Sequence, residues 1–338
     1  MQPLTPKRLA LICGGMSAVL FVAIVFALKL GAVPISVTDL AMLLLRKMAG
    51  AEESLPVEYQ MIVFNIRLPR ILMGVLVGAS LSVAGAGFQA LLRNPLADPY
   101  VLGVSSGAAL GAILSLSFAG GPSVTTPLAA FAGAVAAITM VYFLGRRGGQ
   151  LDSYTLLLAG IITASFLSAL ILFLFTTLSG RDTRGMAFWL MGDLSSSSPI
   201  AAGWLFLVML IAVGAIYTTA ADLNLLLSGE QEAVHLGVDV PRVKLVVYLS
   251  ASLLTGLAVA VSGAIGFVGL LVPHLIRLLF GSDYRVLIPA TALGGAIVIV
   301  LADALARTIV APTELPVGAM TAMAGAPLFL YLLRRRLS

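Results

Sequence analysis

The chain has 338 residues, of which 60% are hydrophobic and only 10% charged, with a mean hydropathy of +1.07. A soluble domain cannot hide that much apolar surface, because its outer face must meet water, so the sequence describes a polytopic membrane protein. The net charge of +5 is then a matter of membrane topology and not of nucleic-acid binding. A single cysteine, Cys13, forbids an intrachain disulfide, and His235 and His274 as the only histidines give no basis for a metal cluster.

Lys7-Arg8 opens an apolar run that continues to Leu30, longer than a cleaved signal segment needs, and it reads as the first span. Cys13 lies within it and reads as an inert membrane thiol. Further spans are expected near 69–92, 103–119, 124–144, 154–178, 199–221, 244–264, 267–280, 286–309 and 315–333, the third and eighth being short or irregular. The result is an all-α membrane protein of about ten transmembrane helices forming one transmembrane domain over 1–338, with both termini on one side. The side bearing Lys7, Arg8, Arg146, Arg147 and the Arg334-Arg335-Arg336 tail carries the greater share of Lys and Arg and is therefore expected to be cytoplasmic. The other side carries Lys29, Arg67, Arg70, Arg181 and Arg307.

Between the first two spans, residues 36–49 begin Ser36-Val37-Thr38-Asp39 and predict a short capped amphipathic helix at the outer surface. Residues 181–193 predict a second outer segment with Phe188 and Trp189 as interfacial aromatics. The stretch Arg93-Asn94-Pro95-Leu96-Ala97-Asp98-Pro99 followed by Leu102-Gly103-Val104-Ser105-Ser106-Gly107 is charged, proline-broken and glycine-rich. Inside a membrane protein such a segment is costly unless it lines a cavity or lies at a surface, so it marks a transport path, with Asn94, Pro95, Ser105 and Ser106 as candidate lining residues. Gly85-Ala86 before Pro95, and Gly263-Ala264 before Pro273, suggest an inverted repeat.

The inner segment of about 222–243 holds Gly229, Glu230, Glu232, Ala233, Leu236 and Gly237 in a helix-like pattern suited to docking a partner. No lysine follows a glycine, so there is no phosphate-binding loop, and the spans hold few carboxylates for ion coupling. An external engine is the natural drive. The alternative is a secondary carrier driven by an ion gradient.

These motifs, with Ile66-Arg67-Leu68-Pro69-Arg70, Leu158-Ala159-Gly160, Gly266-Phe267-Val268-Gly269-Leu270, Pro273-His274 and Glu314-Leu315-Pro316-Val317-Gly318, resemble the FecCD-type permeases in their order along the whole chain. Those are membrane subunits of ATP-binding-cassette importers for ferric siderophores, haem and vitamin B12. The resemblance implies the type II importer permease fold, a homodimer, two ATPase subunits that bind ATP and Mg, an external substrate-binding protein, and no catalytic residue or cofactor on this chain. It further implies that Arg67, Arg70 and Arg307 hold carboxylates of the binding protein, and that the segment around Glu230 inserts into the ATPase. By the same resemblance Ser153 and Tyr154 stand at the inner gate, with Tyr154 bulkier than the pattern expects. His274 is expected to be a packed residue. The breadth of the family favours an iron chelate as cargo, with cobalamin next.

Overall fold

A computed structural model describes residues 5–31, 33–48, 57–118, 125–177, 183–195 and 199–337. Fifteen α-helices follow in chain order: α1 Pro6–Lys29, α2 Val37–Met48, α3 Val57–Gln60, α4 Leu68–Leu91, α5 Val104–Phe118, α6 Thr125–Leu144, α7 Ser153–Thr177, α8 Thr183–Leu190, α9 Pro199–Thr218, α10 Ala220–Leu226, α11 Glu230–His235, α12 Val240–Ser262, α13 Val268–Phe280, α14 Tyr284–Ala306 and α15 Val317–Leu337. A π-helical turn, Met61–Arg67, feeds α3 directly into α4. The strands β1 Arg146–Arg147 and β2 Gln150–Leu151 form a tight hairpin, with Arg146 opposite Leu151. Of the expected outer segments, α2 and α8 are present, while Arg181 lies outside the described residues.

Among the described residues seven helices are long and apolar enough to cross a membrane, and α5, α13 and α15 are shorter apolar helices. Together they are the ten spans expected. Asp39 accepts its place at the start of α2 because the Ser36 hydroxyl caps its backbone N–H at 3.0 Å. Leu40 and Leu43 then turn inward while Met42 and Leu45 stay exposed, so α2 packs by a narrow stripe.

The centre of the protein is α4, which is buried almost throughout and packs against α14, α12, α13 and α9. Glycine explains that central position. A Cβ at Gly78 would overlap the Gly295 carbonyl, and one at Gly85 would overlap the Gly269 carbonyl, so backbones meet with no side chain between them. Around this core α1, α6, α7 and α9 turn apolar side chains outward, among them Phe21, Phe143, Phe173 and Trp204, as lipid-facing helices do.

Arg8 donates to the Phe280 carbonyl, which places the start of α1 beside the end of α13. This N-terminal face also carries Arg93, β1–β2, α10, α11 and Lys244. The far face carries the end of α1, the start of α4, the end of α14 and Glu314.

The two glycines taken as equivalent in the expected repeat do not occupy equivalent places. Gly85 lies in the middle of α4, whereas Gly263 lies past the end of α12. The correspondence is between a long buried helix, a break and a short helix: α4, residues 92–103 and α5 in one copy; α12, residues 263–267 and α13 in the other. In both breaks the last residue adopts left-handed backbone, Gly103 at φ 76° and Phe267 at φ 68°.

Candidate functional site

The first break is built from local side-chain caps. The Asn94 carbonyl oxygen accepts from the Leu96 N–H at 2.9 Å, and the Asp98 carboxylate accepts from the Tyr100 N–H at 2.9 Å. These bonds offer the backbone an alternative to helix, and Pro95 and Pro99 remove donors that a helix would need. A short 3₁₀ turn over Pro99–Leu102 then leads to Gly103 and α5.

The two breaks are bonded to each other. The Tyr100 hydroxyl accepts from the Ile265 N–H at 2.6 Å. Gln89, near the end of α4, donates to the Leu270 carbonyl at 3.2 Å and more distantly to the Ala97 and Gly269 carbonyls. Its carbonyl oxygen accepts from Arg277, whose other nitrogen reaches the Tyr284 hydroxyl at 3.3 Å. A buried glutamine and a partly buried tyrosine therefore bond backbone groups in and beside the two breaks. Sequence reading passed over both, although a Gln in an otherwise apolar span was a usable signal.

Of the expected lining residues, Asn94 is half-buried, Pro95 is exposed and Ser106 is half-buried. Ser105 is buried and turned toward Tyr100, inside the protein. Ser153 donates to the Leu91 carbonyl at 2.9 Å, fastening the start of α7 to the last turn of α4. Tyr154 beside it is 76% exposed. The ring of His274 is buried among helices, at 5% exposure.

On the same face α10 and α11 meet at Gly229, whose φ of 128° favours glycine. Ala233 is fully buried and supports α11 from behind, so it presents nothing to a partner. Glu230 also turns inward. Its carboxylate pairs with Lys244 at 2.7 Å and with Arg93 at 3.4 Å. Outward stand Glu232, Leu236 and Gly237, with Leu227 and Val234 completing an exposed apolar strip. The segment is anchored a second time where the Asn224 amide donates to Asp283 at 2.8 Å and accepts from the Tyr284 N–H at 2.9 Å. The Arg285 guanidinium, aided by Asn224, holds the Asp283 carboxyl down at about 2 against the opposing effect of partial burial.

The far face holds the three expected arginines, and all three are buried and engaged within the chain. Arg67 donates to the Leu28 carbonyl at 2.6 Å and to the Val33 carbonyl. Arg307 donates to the Ala27 and Leu30 carbonyls at 3.2 and 3.3 Å, so two guanidinium groups cap the end of α1. Asp303 joins Arg70 at 2.7 Å and Arg307 at 3.0 Å, and Arg70 also meets Glu314 at 2.6 Å. Glu314 is half exposed and one Arg70 nitrogen is left without a partner. The three arginines expected to hold carboxylates of a binding protein are enclosed in this structure; the carboxylate at the surface is Glu314, and Arg70 stands behind it. Asp303, shared by Arg70 and Arg307, organises the cluster.

A helical membrane core with two bonded breaks and a structured surface segment defines a transport permease. The FecCD transport family matches residues 19–335, and the chain belongs to it, as a membrane permease of the ABC-importer type. The cobalamin import system permease of Halobacterium salinarum is 44% identical over 288 residues, covering 85% of this chain and 77% of that protein. The hemin transport system permease of Yersinia pestis is 45% identical, covering 80% and 83% respectively. A solved structure assigned to the metal-chelate type of ABC transporter, in an inward-facing conformation, has a TM-score of 0.80 at 32% identity over 96% of this chain and 99% of that one.

Proposed function

We propose that this chain is the transmembrane subunit of an importer that carries a bulky metal chelate inward across the bacterial inner membrane by alternating access, driven by ATP hydrolysis on a separate pair of ATPase subunits. The observation that carries the reading is the direct bonding of the two helix breaks, Tyr100 to Ile265, inside a chain whose N-terminal face exposes Leu227, Val234 and Leu236 on and beside α10 and α11. A push on that surface segment reaches the broken core through few contacts. The N-terminal face is then cytoplasmic, with Glu232, Leu236 and Gly237 meeting the ATPase, and the chain pairs with a second copy around a central path in the lipid bilayer. Asn94, Pro95, Ser106 and Tyr154 line or close the inner end of that path, with Ser105 and Ser153 holding their helices in place.

On the far face the binding protein docks at the arginine cluster. An incoming carboxylate replaces Glu314 on Arg70, while Arg67 and Arg307 keep α1 and α14 in register behind it. The cargo is a haem, a ferric siderophore or a cobalamin. Relatives named for hemin and for cobalamin are almost equally similar, so the binding protein and not this chain makes the choice.

The test is uptake by proteoliposomes holding this chain with its ATPase and binding protein. Haem, a ferric siderophore or cobalamin should enter only when ATP is supplied. Uptake that collapses with a protonophore and ignores loss of the ATPase would replace this reading with an ion-driven carrier.

A further inference from the structure

The segment that meets the ATPase has two faces, and its most ionic residue is on the wrong one for contact. On α11, Ala233 points into the protein and Glu230, three residues earlier on the same side, is 34% exposed with its carboxylate turned to Lys244 and Arg93, while Gln231, Glu232, Val234 and His235 are exposed. Both Glu230 oxygens are already occupied, one by Lys244 and the other by Arg93. The two cations differ in kind. Lys244 lies in the first turn of α12, is 5% exposed, and also donates to the Leu151 carbonyl of the hairpin that leads into α7 at 3.2 Å. Arg93 is 44% exposed and sits at φ 47°, a left-handed backbone that a non-glycine residue rarely holds, one residue into the first break.

A cavity of about 170 Å³ adjoins the pair, lined by Arg147, Gln150, Asp152, Glu230, Pro241 and Lys244. The carboxylate therefore has free space beside it and is not wedged in place. Around it stand Arg93, Lys244 and Arg147 against Asp152, so neutralising Glu230 leaves the cations in excess.

We propose that Glu230 is a transmission residue: it carries movement of α11 to α12 through Lys244 and to the first helix break through Arg93, and it does not itself touch the ATPase. The proposal rests on the importer reading, because it needs α11 to be the segment the ATPase moves. One carboxylate thereby links four elements, since Lys244 reaches the hairpin and Ser153 ties the following helix to the last turn of α4. It is a positioning residue, acting through others on the path.

The experiment reconstitutes the chain with its ATPase and binding protein and measures cargo moved per ATP hydrolysed, with ATPase stoichiometry read by light scattering. Glu230→Gln keeps shape and removes charge. It should keep the ATPase bound and lower cargo per ATP about three- to tenfold, the size of coupling shifts seen for residues between sites. Lys244→Met should do the same, and the double variant should be no worse than either. Loss of ATPase from the Glu230→Gln complex, or an unchanged cargo-to-ATP ratio, overturns the proposal. Leu236→Glu should instead release the ATPase. If it does not, the contact face is misassigned, whatever Glu230 does. A wild-type chain that captures no ATPase overturns the importer reading, and this role with it.

Discussion

The two faces of the protein use the same chemistry to opposite ends. On the far face, Arg67, Arg70, Arg307 and Asp303 are all buried, and most of their hydrogen-bonding groups are spent on carbonyls and on one another. On the N-terminal face, Glu230 and Arg93 are partly exposed, the pair spans 3.4 Å, and open space lies alongside. Buried ionic groups are costly to separate, whereas half-exposed ones exchange partners with water at little cost. One cluster is a fastening and the other a joint. Polar residues in membrane helices therefore need sorting by burial and saturation before a role is assigned to them.

The sharpest way to break the comparison is to open the fastening. Asp303→Ala leaves the Arg70 and Arg307 guanidinium groups without their shared partner and should cost about 3–5 kcal/mol, seen as a large fall in thermal stability in detergent. The Glu230 carboxylate is 34% exposed although Lys244 beside it is buried, so Glu230→Gln should lower thermal stability less than Asp303→Ala, and a comparable fall there would erase the distinction. Gly85→Ala pushes a methyl group into the Gly269 carbonyl and should destabilise by about 1–3 kcal/mol, because both sides of the contact are backbone.

The outer docking idea has a sign that can be checked. If an incoming carboxylate competes with Glu314 for Arg70, Glu314→Gln should tighten binding of the docking protein about twofold to fivefold, the scale of one exposed ion pair. Weaker binding would mean that Glu314 itself makes the contact.

The smallest effect expected is in acid. The Asp283 carboxyl is held below its usual value, so the ionised form that anchors Asn224 contributes fully above about pH 4 and is lost as pH falls toward 2. The protection factor of the Tyr284 amide, whose N–H bonds to Asn224, should fall over that window and stay flat from pH 5 to 8.

Much of this architecture was legible in the chain. Apolar runs placed all ten membrane helices, because backbone satisfaction in lipid leaves a helix few rivals. The first break was legible from Pro95, Pro99 and Gly103, whose conformational limits are local. Register of the repeat was not, because one left-handed position is Gly103 and its counterpart is Phe267, a residue that advertises nothing. Directions of charged side chains were also hidden. Sequence places Glu230 and Glu232 two apart on one helix, but only packing shows that the first faces Lys244 and the second faces out. The same limit made Arg67, Arg70 and Arg307 look available when they are enclosed.

The glycine contacts of α4 carry a mechanical consequence. Where Gly78 meets Gly295 and Gly85 meets Gly269, there are no flexible side chains to absorb displacement. A seam of that kind behaves like a keyed shaft. Rolling α4 by one residue would bring bulk against a carbonyl, so α4, α13 and α14 have to travel as one rigid body. Compliance must then come from the seams where side chains separate the helices, and the moving parts of the transporter are whole blocks sliding on oiled faces rather than single helices turning in their sockets.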